Sequence, residues 1–429
     1  MLINDGGPEG TRAGSALWFE GPVILPDQVL RQGLVLVKGG KIGGLWDLSR
    51  ESSSAQAPMP APPDPGLRPG RNVRLHDGYL APGFIDLHVH GGGGADFADG
   101  DPEGTAVAAH VHARHGTTGL LATIMTLPGD GIVRALRALR ALKDDPPRGA
   151  AVLGFHLEGP FLNPEFRGAH PPRDLRAPSI ASMEAWLGES DRRSDQEPDP
   201  YWCRQVTLAP ELDGASDLIR FLAGRGVVVS AGHTGCTYER LRTAAGEGLK
   251  HVTHLFNAMR GLDHREPGPV GGALTLPGLT VELIADGIHV HPAVLALAAA
   301  ARGPQGIVLV TDAVRAAGMP DGRYRFGAEW ITACEGLVRL EDGRLAGSTL
   351  TMAGAVRNMV KMAGVPLPSA VAMASLNPAR VHGLQDRKGS IEIGKDADLV
   401  LLDRDLQVLG TIVEGDFVHE TGHIAGFTV

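Results

Sequence analysis

Apolar and polar positions follow three successive patterns along the chain. From about Ala16 to Leu48 they describe short strands: Leu34-Val35-Leu36-Val37, the turn Lys38-Gly39-Gly40-Lys41, then Ile42 and Leu45-Trp46, a hairpin pattern. From Leu80 short apolar runs alternate with helical spacing. The runs Phe84–His90, Gly119–Thr123, Ala151–Phe155, Gln205–Leu208, Val227–Ser230, His251–Thr253, Thr280–Ile284 and Ile307–Thr311 predict strands. Between them, Ile132, Val133, Leu136, Leu139 and Leu142 predict a helix over 131–143, because residues three and four apart share a helix face. Eight strands, each trailed by a helix or loop, predict an α/β fold closed as a (β/α)8 TIM-like barrel. Residues 179–200 are expected as an inserted helix-loop segment.

Beyond Asp312 the pattern predicts a hairpin over 336–345, helices over 353–362 and 368–374, and strands over 390–393, 398–402 and 411–413. A β-rich start and a β-rich end predict a small β-sandwich domain built from 1–79 and 376–429 around a barrel over 80–375. Residues 51–72, rich in Ser, Ala, Pro and Gly, are expected as a mobile loop.

Composition narrows the functional class. With 429 residues, 43% hydrophobic and 21% charged, the chain has ample material for a large core. A net charge of -9 argues against a nucleic-acid or membrane-surface binder, though a local cluster of donors can still take a small anion. Cys203, Cys236 and Cys334 are too scattered for a disulfide framework or a zinc knuckle and suit a reducing compartment. No basic segment followed by an apolar run marks the start at Met1–Gly7, and the apolar run 293–301 is too short to span a bilayer. The expectation is a soluble cytoplasmic protein.

The chemistry is written at the strand ends. His88 and His90 share one face of their strand, with Val89 packed behind them. Glu158, His233, His254 and Asp312 each follow one of the later apolar runs. Barrel enzymes work from the C-terminal ends of their strands, so these residues are candidate ligands of a divalent metal. Imidazole and carboxylate donors suit Zn, Fe, Co or Mn and not a thiolate site. Such a site acidifies a bound water and polarises a carbonyl, and Asp312 is the candidate proton shuttle.

The ordered strings extend this reading. Phe84-Ile85-Asp86-Leu87-His88-Val89-His90 with the later ligands resembles the amidohydrolase superfamily. His156-Leu157-Glu158-Gly159-Pro160-Phe161, Arg167-Gly168-Ala169-His170, Ser230-Ala231-Gly232-His233-Thr234 and Thr253-His254-Leu255-Phe256-Asn257-Ala258-Met259 are similar to the N-acetylglucosamine-6-phosphate deacetylase family within it. So are Arg265-Glu266-Pro267-Gly268, Ala285-Asp286-Gly287-Ile288-His289, Val310-Thr311-Asp312-Ala313 and Ala346-Gly347-Ser348-Thr349-Leu350. The resemblance runs from about Leu34 to Asp403. It implies deacetylation of a phosphorylated amino sugar in catabolism and cell-wall sugar recycling, with Glu158, His233 and His254 on the principal metal and Asp312 as acid and base. His170 would contact the sugar and polarise the acetyl carbonyl. Asn257, Ala258 and His289 would bind the phosphate, and Arg265 would reach the substrate of a neighbouring subunit in a homodimer. Ala169, Asp286 and Leu345-Ala346-Gly347 would line the pocket.

Many superfamily members bridge two metals with a carboxylated lysine. No lysine stands at the Glu158 position, so Glu158 itself would bridge, and the intact His88/His90 pair leaves room for a second ion. The rival readings are the galactosamine epimer as substrate, another amidohydrolase reaction, and an inactive sugar-phosphate-binding scaffold.

Overall fold

The computed structural model describes residues 16–49, 70–144, 146–191, 202–327 and 329–421. Eight parallel strands form one sheet in sequential order, here β1 (Phe84–Val89), β2 (Thr117–Ile124), β3 (Ala151–Glu158), β4 (Cys203–Leu208), β5 (Val228–Ala231), β6 (His251–Val252), β7 (Thr280–Ile284) and β8 (Ile307–Val310). The sheet closes on itself where Asp312 N donates to His88 O at 2.9 Å and His90 N to Ala313 O at 2.8 Å. These bonds join the end of β1 to the residues just beyond β8, and closure leaves no exposed edge.

Helices follow the strands, among them Pro102–Ala113, Gly129–Asp144, Ala215–Ala223, Tyr238–Glu247, Pro292–Arg302 and Met352–Ala363. In Gly129–Asp144 the predicted face is the buried one: Ile132, Leu136 and Leu139 are at most 1% exposed. Each such side chain contributes roughly 1.5–3 kcal/mol on burial.

The interior of the barrel is polar. His156 Nε2 bonds Thr207 Oγ1 at 2.8 Å, Thr207 Oγ1 meets Thr253 Oγ1 at 2.7 Å, and Ser230 Oγ meets Thr253 Oγ1 at 2.6 Å. All four residues are fully buried, and the bonds offset the cost of removing their polar atoms from water.

The chain's two ends share the second large sheet. Leu17–Ile24, Val29–Lys38 and Lys41–Asp47 from the start join Tyr79–Pro82 and then Leu399–Leu402, Val408–Val413 and Asp416–Glu420 from the end. This sheet folds over a core of its own containing Phe19, Val35, Leu80, Leu399 and Ile412. Phe19 near its middle and Phe417 on its last strand bring their ring centroids to 6.5 Å. The predicted sandwich is therefore one sheet whose two leaves face each other.

Two expectations need correction. Of the loop expected over 51–72, residues 51–69 lie outside the described residues, while Arg71 and Asn72 begin a strand, Arg71–Arg74, pairing parallel with Leu17–Glu20. The segment 390–393 is not a strand. Gly389 and Gly394 both sit at φ 90, which breaks extended backbone on either side, and Ser390 Oγ and Lys395 Nζ bond the Glu392 carboxylate at 2.5 and 3.0 Å. The hairpin expected over 336–345 is present, with Arg339 bridging Leu345 antiparallel and Leu340 N donating to Arg344 O at 2.9 Å; Glu329–Cys334, paired with Leu337–Leu340, and Gly322–Phe326 extend it into a small sheet. Of the segment 179–200, Ile180–Asp191 is a helix and 192–200 lie outside the described residues. Among the described residues no helix is long and apolar enough to cross a membrane.

Candidate active site

The predicted strand-end residues converge at one mouth of the barrel. His88 lies in β1 with His90 just after it, and Glu158 ends β3. His233, His254 and Asp312 each stand two residues beyond β5, β6 and β8. They form two triplets able to hold a metal ion, His88/His90/Asp312 and Glu158/His233/His254. In the second, the His233 and His254 Nε2 atoms lie 3.1 and 3.0 Å from Glu158 Oε1 and 3.1 Å from each other. In the first, His90 Nε2 is 3.3 Å from His88 Nε2 and 3.1 Å from Asp312 Oδ1. Glu158 joins the two, with Oε1 3.4 Å from His88 Nε2 and Oε2 3.3 Å from His90 Nε2.

Backbone strain accompanies the convergence. His233, His254, Ala258 and Asp312 have φ values of 49, 29, 49 and 49, a region that side chains other than glycine rarely occupy and that clusters at functional sites. Gly347, at φ 65, completes the wall here: a Cβ on it would stand 2.8 Å from Asp312 O, so only glycine lets that loop approach.

The donor set fits a divalent cation. Glu158 Oε1 and the Nε2 atoms of His233 and His254 lie 3.0–3.1 Å from one another, close to the roughly 3.3 Å that separates ligands tetrahedrally disposed at about 2.05 Å from one ion. The outer ring atoms set the tautomers. His233 Nδ1 donates to Phe166 O at 2.9 Å and His88 Nδ1 to Glu282 at 3.0 Å, which turns each Nε2 lone pair inward. Among the described residues the Nδ1 atoms of His90 and His254 have no hydrogen-bond partner.

Charge points the same way. Among the described residues no lysine or arginine pairs with Glu158, Asp312 or Glu282; their ion-pair partners are histidines. Burial alone would raise the Glu158 carboxyl, but the His88 charge and bonds from His170, His233 and His254 hold it well below its usual range. Burial likewise opposes ionisation of Asp312, and His88 and His90 outweigh it, leaving that carboxyl lowered. His90 is correspondingly driven up to about 9, against burial, by bonds and charges from Asp312 and Glu158. A protonated histidine stands in for positive charge that a divalent ion supplies when bound. Burial lowers His233 to about 4, keeping it a neutral ligand.

Above the triplets lies a cleft of about 290 Å3 whose walls include His170, Ala169, Asn257, Ala258, His289 and Leu345-Ala346-Gly347. His170 Nδ1 takes the Thr126 main-chain N–H at 3.4 Å and meets Thr126 Oγ1 at 2.8 Å. Its proton therefore sits on Nε2, 3.3 Å from Glu158 Oε2. Two predicted residues stand apart from the cleft wall. Asp286 lies behind His289, bonding its Nδ1 at 2.6 Å. Arg265 lies on an exposed loop, held by Asp263 through its main-chain N–H at 2.9 Å and by His264 Nε2 at 2.9 Å.

The structure adds residues that sequence reasoning passed over. Met125, Phe326 and Arg344 line the cleft. Arg344 directly precedes the Leu345-Ala346-Gly347 turn, and its guanidinium bonds Asp342 and the Gly168 carbonyl. Glu282 was legible as a lone carboxylate inside the apolar strand Val281-Glu282-Leu283-Ile284. Phe326 carried no local signal.

A closed barrel with two histidine–carboxylate triplets at the C-terminal ends of its strands defines a metal-dependent hydrolase architecture. The chain belongs to the amidohydrolase family, whose sequence signature matches residues 79–418. It is 40% identical over 355 residues to the N-acetylglucosamine-6-phosphate deacetylase of Vibrio furnissii, covering 83% of this chain and 86% of that one. It is 43% identical over 338 residues to the N-acetylgalactosamine-6-phosphate deacetylase of Escherichia coli O157:H7, covering 78% and 86%. The crystal structure of N-acetyl-D-glucosamine-6-phosphate deacetylase from Mycobacterium smegmatis superposes with a TM-score of 0.82 at 35% identity, covering 94% of this chain and all of that one.

Proposed function

We propose that the protein hydrolyses the acetamide of N-acetylglucosamine-6-phosphate, giving glucosamine-6-phosphate and acetate, in cytoplasmic amino-sugar catabolism and cell-wall sugar recycling. The observation that carries this reading is the two metal-competent triplets lying beneath a cleft lined by His170, Asn257, Ala258 and His289. Glu158, His233 and His254 would hold the principal ion, and His88, His90 and Asp312 a second, with Glu158 between them. Zinc, iron, cobalt or manganese all suit these donors. A bound divalent ion there acidifies a water and polarises the acetyl carbonyl.

The chain's own residues do the rest. Asp312 takes the proton of the attacking water and delivers it to the departing amine nitrogen. His170, with its proton on Nε2, donates to the carbonyl oxygen as negative charge develops there. The phosphate belongs to Asn257, the Ala258 main-chain N–H and His289. Burial alone would lower His289, but the Asp286 bond and charge raise it, so Nδ1 is committed to Asp286 and Nε2–H is left for an anion. Ala169 and Leu345-Ala346-Gly347 shape the sugar pocket. Arg265, exposed on its own chain, would reach the phosphate bound by a second copy in a homodimer.

The galactosamine epimer is the second reading, favoured by the 43% identity to a deacetylase of that substrate. The test is acetate release from both phosphosugars, measured side by side on protein whose metal content is known. Faster turnover of the glucosamine epimer is expected; no acetate from either sugar with metal-replete protein would overturn the deacetylase reading.

A further inference from the structure

Resting on that hydrolase reading, we propose that Glu282 is a positioning residue that holds the two ligand triplets in place together from inside the barrel. Glu282 sits on β7 and is fully buried. Its Oε2 accepts from His88 Nδ1 at 3.0 Å and from the His254 main-chain N–H at 3.1 Å. One oxygen thus bonds a side chain of the first triplet and the backbone of the second. Its Oε1 is fixed from the other side by Gln205 Nε2 at 2.8 Å and His251 Nε2 at 3.1 Å. His251 is itself anchored through Nδ1 to Thr280 Oγ1 at 2.6 Å.

Every group facing Glu282 in these contacts is a donor, so the position requires an acceptor at both oxygens, which only a carboxylate supplies. A glutamine would turn an NH2 toward N–H groups on one side. With Oε2 lost, the His88 ring is free to change tautomer, and its Nε2 need no longer face the metal site. His254 would also lose the bond that holds its backbone at φ 29, a conformation costing about 1–3 kcal/mol when unsupported. Both triplets would loosen through one substitution, although Glu282 touches no substrate.

The experiment compares wild type with Glu282→Gln and His251→Gln. Metal per chain is measured by elemental analysis, and the rate of metal loss to a chelator is followed without substrate. Outer partners of metal-ligating histidines typically change metal affinity or activity 10–100-fold, so E282Q should release metal about 10–100-fold faster. Its kcat should fall by a similar factor while KM stays within about threefold. H251Q leaves both Oε2 bonds in place and should retain metal like wild type. If E282Q does not fold, Glu282→Asp replaces it, keeping the charge but drawing the carboxylate back by one methylene; faster metal release is expected there too.

Wild-type metal retention in folded E282Q, or in folded E282D, overturns the proposal. Failure of both to fold with metal supplied during growth would also overturn it, making Glu282 a folding residue. A wild-type chain that holds metal but releases no acetate would instead count against the deacetylase reading alone.

Discussion

Replacing Asp312 by Asn separates proton transfer from shape. The carboxylate lies 3.1 Å from His90 Nε2 and 3.5 Å from His88 Nε2, with its side chain 13% exposed. Its backbone sits at φ 49, which Asn tolerates about as well as Asp, so the substitution keeps volume and conformation and removes one ionisable oxygen. Positioned acid–base catalysis contributes about 10²–10⁴-fold, or roughly 2.7–5.4 kcal/mol of barrier. The expected result is a loss of kcat in that range with KM little changed, because the cleft walls are intact. Acetate release would be assayed under saturating phosphosugar with metal content measured in the same preparation. Asp312 also belongs to the His88/His90 triplet, so the assay is repeated with added metal. A kcat within about threefold of wild type, or one that added metal restores, would refute the proton-shuttle role.

Replacing His88 and His90 together by Ala should lower metal content toward one ion per chain while circular dichroism stays native; unchanged stoichiometry would make the pair structural. Arg265→Ala should raise KM about 10–100-fold with little change in kcat, the loss of one charge-assisted bond of about 1.5–3 kcal/mol, and a KM equal to wild type would remove it from the phosphate site. Arg344→Ala unfastens the loop carrying Gly168 and His170; because that side chain is 39% exposed, the loss is about 1 kcal/mol, roughly fivefold in kcat/KM. His112, buried with Nε2 donating to Gly91 O at 2.9 Å, is lowered by burial from 6.5 to about 4. Above pH 6.5 both states hold it neutral. Below that the unfolded chain takes up a proton the folded chain refuses, so stability falls down to about pH 4. Denaturant unfolding at pH 7 and 5 should show about 2 kcal/mol less acid sensitivity in His112→Gln than in wild type.

Much of this protein is legible in one dimension because its signals are local. The apolar runs from Phe84 to Thr311 and the helical spacing over 131–143 depend only on neighbours, and the structure has the eight-stranded barrel and the helix there. His88 and His90 announce a shared face by alternation, and Glu158, His233, His254 and Asp312 announce themselves by following apolar runs. Local signals misled where local chemistry competed, as at 390–393, where a bonded Glu392 between two left-handed glycines replaced a strand.

What the tertiary structure decided is whatever depends on closure. Only when β1 meets the residues after β8 does Asp312 come within reach of His90, although 222 positions separate them in the numbering. Only inside the closed barrel does Glu282, which reads as a misplaced charge in an apolar strand, find His88, His251, Gln205 and the His254 backbone. The same holds for Phe326 and Arg344, brought to the cleft by a small sheet outside the barrel. Periodicity is a property of neighbouring residues and survives in the sequence. A buried charge is satisfied by partners far along the chain, so its role exists only once the strands have closed around it.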